Sequence, residues 1–122
     1  MNKAGSYFIF DPSSGLYKIG IVKKAKNLKK RIRALKKKYH YGPQIEVLET
    51  KEDSLDNIMI LEKSLHEKFK DKKCVRTMDV VHKIDGVIIE SKLDDQKMNG
   101  GSEWFKLNNE DVEYTTNKYV EV

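Results

Sequence analysis

The chain has a single cysteine, Cys74, among 122 residues. This excludes an intrachain disulfide and any cysteine-based zinc cluster, and suits a reducing compartment. It has only two prolines, and no repeat or Pro-, Gly- or Ser-rich linker divides it. It therefore reads as one domain, residues 1–122, long enough to bury one core. No apolar run approaches membrane-spanning length. The apolar patch in the opening MNKAGSYFIFD is too short for the hydrophobic region of a signal peptide. The expectation is a cytoplasmic or nuclear protein, not a secreted one, with no membrane partner.

Acidic residues are also missing from one long window. No Asp or Glu lies between Pro12 and Pro43, while eleven Lys or Arg fall between Lys18 and Lys38. The remaining 13 basic and 19 acidic residues leave the rest of the chain at −6, although the total is +5. An acidic body with one basic face is the footprint of a polyanion-binding protein. The alternative on charge alone is a solvated, lysine-coated helix.

Side-chain alternation and turn chemistry predict the elements. SYFIF, residues 6–10, is aromatic and β-branched and reads as a strand. DPSSG, residues 11–15, reads as a hairpin loop, with a return strand over 16–22. A helix over 25–38 carries the stripe Leu28, Ile32 and Leu35, and YHYGPQ, residues 39–44, breaks it. IEVL, residues 45–48, is a short strand. Ser54 is a good N-cap for a second helix over 55–70. Residues 80–90 form a hairpin around Asp85-Gly86, and residues 100–107, GGSEWFKL, form a last short strand. Residues 74–100 look like an insertion, and the tail over 114–122 is expected to be loosely held. The sum is an α+β domain: a small antiparallel sheet, an N-terminal hairpin plus further strands, flanked by helices.

Helix phase then separates the polar residues. Arg31 falls about 60° from the Leu28 direction, at the border of the buried face, whereas Arg33 points toward solvent. Arg31 either works in a cleft or lays its stem over the core edge. In the second helix the stripe is Leu55, Ile58, Met59, Leu61, Leu65 and Phe69. Glu62 lies within it and His66 follows one turn later. An inward carboxylate is costly unless paired or bound to a metal. Glu62 is therefore either a structural partner of Arg31 or part of an active site. His66 reads as a packed, hydrogen-bonded histidine rather than a ligand.

Gly5-Ser6-Tyr7, Lys18-Ile19-Gly20, KRIRAL around Arg31, LEKSLHEKF around Glu62 and the ending SEWFKL occur in one order over residues 5–107. In that order and spacing the chain resembles the GIY-YIG endonuclease superfamily. Its KIG and EWF forms resemble the phage and large-virus branch, related to the meiotically up-regulated gene group. The resemblance implies a small antiparallel sheet flanked by helices and metal-dependent hydrolysis of DNA with one divalent ion, Mg²⁺ or Mn²⁺. It implies that Tyr7 holds or deprotonates the attacking water, that Arg31 contacts the phosphate and that Glu62 binds the metal. The substrate expected is duplex or branched DNA, with RNA also open, and the protein a monomer or homodimer.

The second motif tyrosine is displaced in this sequence. Tyr17 and Lys18 point to opposite faces of a strand. The eleven-residue interval from Tyr7 places Lys18 where the family has its second tyrosine, with Tyr17 packed behind the sheet. Gly20 lets neighbouring groups approach or marks a bend. The late asparagine of many relatives is missing, and Glu103 is the candidate for part of its role, with Trp104 and Phe105 in the core. Lys23, Lys24, Lys26, Lys29, Lys30, Arg33 and Lys37 would grip phosphates without reading sequence. Two alternatives stand beside the nuclease: a catalytically silent nucleic-acid-binding module of the same fold, and a small interaction domain using the 80–90 hairpin.

Overall fold

The computed structural model describes residues 3–12, 14–38, 45–74, 77–84, 87–94 and 104–121, with side chains except at 37–38, 77–84 and 87–94. Two aromatic and aliphatic strands, β1 (Ala4–Asp11) and β2 (Leu16–Val22), pair antiparallel in the register Tyr7 to Gly20 and Ile9 to Lys18. Their turn is closed by the Gly15 N–H donating to the Asp11 carbonyl at 2.8 Å. Gly15 adopts φ +73°, a left-handed conformation natural to glycine.

A 3₁₀ turn at Ala25–Asn27 leads into α1 (Leu28–Lys38). Strand β3 (Glu46–Asp53) returns along the other edge of β1. Helix α2 (Leu55–Lys68) begins at Ser54, whose hydroxyl accepts the Asn57 N–H at 3.2 Å. A second 3₁₀ turn, Lys70–Lys72, precedes β4 (Lys73–Cys74). Strands β5 (Thr77–Ile84) and β6 (Val87–Asp94) form a separate two-stranded sheet. The chain then adds β7 (Trp104–Phe105) and α3 (Asn109–Val120). The main sheet has the order β3-β1-β2-β7-β4, every described pairing being antiparallel. This is the α+β architecture that the sequence predicts.

Alternation sends side chains from β1 and β2 to two cores. Tyr7, Ile9 and Leu16 meet Leu28 and Leu35 of α1, together with Ile45 and Trp104. Phe8 and Ile19 meet Leu65 and Phe69 at the end of α2, with Phe105, Leu107 and Tyr119. Trp104 and Phe105 are fully buried, one in each core, so two adjacent residues of β7 tie both layers to the sheet.

Three expectations are corrected. The strand expected over 45–48 runs on to Asp53. Its extension, ETKED, is an edge segment whose side chains are exposed or half-buried, so it carries no apolar signature. The tail expected to be loose is helical to Val120. Its N-terminus is held by a reciprocal capping box between Asn108 and Asp111, and Asp111 also takes an ion pair from Lys72. Its inward stripe is Val112, Thr115 and Tyr119, too polar for the periodicity to stand out. The apolar stripe of α2 is narrower than expected. The helix meets the core along Ile58, Leu61, Leu65 and Phe69, leaving Leu55 and Met59 exposed. No helix among the described residues is long and apolar enough to cross a membrane.

Candidate functional site

The site begins where β1 crosses β2. Tyr7 is buried, and its phenol extends across the α-carbon of its register partner, Gly20. A Cβ at Gly20 would stand 2.8 Å from Tyr7 Cε2 and closer still to Cζ and the hydroxyl. Gly20 does not adopt positive φ, so space rather than backbone freedom requires glycine here. From α1, on the same face, Arg31 lies close enough to the Tyr7 hydroxyl to act on it by charge and hydrogen bonding. Helix phase leaves Arg31 two roles, and its electrostatic influence on Tyr7 favours the one at the cleft.

Burial pushes the Tyr7 pKa upward. The hydrogen bond and charge of Arg31 oppose that shift, the charge of Glu62 adds to it, and burial prevails. The hydroxyl is therefore a neutral hydrogen-bonding group at neutral pH.

Lys18 and Tyr17 part as alternation requires. Tyr17 stacks on Phe8 with ring centroids 5.7 Å apart and tilts against Phe10 at 4.7 Å, on the α2 side of the sheet. Lys18 lies on the other face with only 5% of its surface exposed, its Nζ 5.5 Å from the centroid of the Trp104 ring. A lysine head over an indole face gains a cation–π interaction in its ammonium form. Glu103 lies outside the described residues, as does the side chain of Lys37.

Glu62 comes from α2. It is half-buried, within electrostatic range of Tyr7, and lines a cleft with Ile21, Met59, Ile60, Lys63 and His66. The His66 Nε2–H donates to the Ile19 carbonyl at 2.9 Å, and its ring packs edge-on against Phe105 at 5.0 Å. Strand β7 is two residues long and pairs with β2 at Tyr17, so His66 serves a β2 carbonyl farther along that edge. This bond fixes α2 against β2 and, one helical turn earlier, holds Glu62 beside Ile21. Among the described residues no group of three or more His, Cys, Asp or Glu is placed to hold a metal. A single, half-buried carboxylate at a cleft is the kind of donor that a hard, largely hydrated cation such as Mg²⁺ accepts.

The basic strip follows β2 and continues onto α1. Lys23 and Lys24 follow β2, Lys26 lies in the 3₁₀ turn, and Lys29, Lys30 and Arg33 sit on α1, all exposed. The helix has no acidic residue in its first turn to offset them.

Two residues escape sequence reasoning. The Ser6 hydroxyl, fully buried, donates to the Gly20 carbonyl at 2.9 Å, and Tyr119 Oη lies 2.6 Å from Ser6 Oγ. Burial drives the Tyr119 pKa well above that of an ordinary tyrosine, with Glu62 and Tyr7 contributing and the Ser6 hydrogen bond opposing. Their signal, a serine before the motif tyrosine and a tyrosine near the far end of the sequence, is invisible without the fold.

No curated protein and no solved structure matches the chain. A family model described as the T5orf172 domain matches residues 5–120, nearly the whole length. The chain belongs to the T5orf172 domain family.

Proposed function

We propose that this protein is a metal-dependent DNA endonuclease of the GIY-YIG type. The observation that carries the reading is the convergence at Tyr7, a neutral phenol laid over Gly20 and within the electrostatic influence of both Arg31 and Glu62. The T5orf172 family is phage-associated and of nuclease type, which supports the same reading.

Phosphodiester hydrolysis needs an oriented water, a neutralised developing charge and help for the leaving oxygen. Arg31 supplies the second. Its planar guanidinium can bind two phosphate oxygens within electrostatic reach of Tyr7. Tyr7, kept neutral by burial, is suited to orient the water and to relay a proton, accepting one as it gives up its own. It is not suited to stand as a phenolate base. Lys18 adds a buried positive charge on the same face of β2. Glu62 would hold the cation, Mg²⁺ or Mn²⁺. When bound, that ion supplies Lewis-acid stabilisation of charge on the phosphate. The exposed lysines of the strip grip backbone phosphates on either side of the scissile bond without specifying bases.

The test is a nicking assay on supercoiled plasmid and on labelled branched DNA, with Mg²⁺ or Mn²⁺ against EDTA, for wild type and Glu62→Ala. The expected result is metal-dependent cleavage abolished by the substitution, with DNA affinity retained. Cleavage that persists in Glu62→Ala overturns the assignment of Glu62. Binding without cleavage under any metal identifies a silent nucleic-acid-binding module instead.

A further inference from the structure

We infer that Tyr119 is a positioning residue for Tyr7, bracing the β1–β2 crossing from the far side of the sheet. The inference rests on the nuclease reading for its kinetic consequence but not for its geometry.

The direction of the hydrogen bonds follows from proton count. Ser6 has one hydroxyl proton, and it points to the Gly20 carbonyl at 2.9 Å. The 2.6 Å contact between Ser6 Oγ and Tyr119 Oη must therefore use the tyrosine's proton. The result is a directed chain, Tyr119 O–H to Ser6 O–H to Gly20 C=O. All three residues are buried, so water does not compete for these bonds. Burial keeps the Tyr119 phenol protonated, so it remains a donor throughout the neutral range.

The chain ends on the two residues that decide where Tyr7 lies. Ser6 precedes Tyr7 on β1, and Gly20 is the residue its phenol crosses on β2. Ser6 faces the α2 and α3 side, opposite Tyr7, so the brace acts on the crossing without touching the phenol. Tyr119 is itself fixed, stacked on Phe8 with centroids 6.0 Å apart. A shift of β1 against β2 would move Tyr7 relative to Arg31, and positional errors near 1 Å are costly to catalysis.

The experiment uses Tyr119→Phe, which keeps the ring and removes the donor, and Ser6→Ala, which removes the relay by a different route. Two readouts are taken: the Cζ resonance of Tyr7 in protein carrying ¹³C-labelled tyrosine, assigned with Tyr7→Phe, and nicking kinetics with Mg²⁺. The expected result is a displaced Tyr7 resonance in both variants. With it goes a maximal nicking rate about tenfold lower at unchanged KM, measured at a temperature where both variants remain folded despite a Tm lowered by a few degrees. A Tyr7 resonance unmoved in both variants overturns the proposal, as does a moved resonance with a wild-type rate. Should the wild type fail to nick DNA, the nuclease reading falls and the resonance alone still decides whether Tyr119 positions Tyr7.

Discussion

The Tyr7 phenol occupies the space that a side chain at Gly20 would need. The motif glycine is thus one half of a steric pair whose other half is the motif tyrosine, and the hairpin brings them face to face in register. Gly20→Ala must push the ring aside or part the strands. The expected cost is about 1–3 kcal/mol of stability, read from urea unfolding, with nicking reduced to background. In a Tyr7→Ala background, where the ring is gone, Gly20→Ala should cost much less stability than it does in wild type, and neither background should show activity. Wild-type stability and nicking in Gly20→Ala alone would contradict the steric account.

Alkaline pH should expose the buried phenols. Tyr7 and Tyr119 both have pKa values raised in the folded protein, whereas in the unfolded chain they ionise near ~10. Above that pH the folded state binds more protons than the unfolded state, so stability falls as pH rises. The contribution is intact below pH ~10 and is lost as pH climbs through the folded values. Urea midpoints measured from pH 8 to pH 11 should decline less steeply in Tyr7→Phe and in Tyr119→Phe than in wild type. An identical decline in all three proteins would show that these phenols are not the groups responsible.

Lys18→Met separates charge from packing. The substitution keeps an unbranched chain against Trp104 and removes the ammonium. The expected result is a folded protein that binds DNA and cleaves it about a hundredfold more slowly, the scale on which a single electrostatic group acts at a reacting centre. A full-rate Lys18→Met enzyme would confine Lys18 to the core.

The basic strip should govern affinity and not turnover. Replacing Lys29, Lys30 and Arg33 with Gln should weaken binding to unrelated DNA sequences alike. The slope of log K against log salt should flatten by nearly one for each phosphate that the variant no longer neutralises. Maximal nicking at saturating DNA should be unaffected. A triple variant with an unchanged salt slope would place the DNA path elsewhere.

Much of this arrangement is legible in the sequence, because spacing fixes which residues share a face. Alternation separates Tyr17 from Lys18, and the 3.6-residue period puts Arg31 beside the Leu28 stripe. Ser54 announces α2 by its capping chemistry. What spacing does not encode is the surface on the other side of a face. The α2 stripe reads as six residues wide, but the sheet covers only part of it. β3 extends through charged residues because an edge strand needs backbone partners more than apolar side chains. α3 escapes the sequence because its inward positions are a valine, a threonine and a tyrosine. The tyrosine's purpose is a hydroxyl contact with Ser6, 113 positions away. The direction of the Tyr7 pKa shift depends likewise on how far three-dimensional burial outweighs one neighbouring arginine.

That separation of 113 positions also sets an order of events during synthesis. Ser6 is made well before Tyr119. At roughly 5–20 residues per second, translation reaches Tyr119 about 6 to 23 s after Ser6. During that interval β1 and β2 can pair without their brace. The nascent chain thus carries its tyrosine–glycine crossing unsupported until α3 has emerged from the ribosome and folded against the sheet.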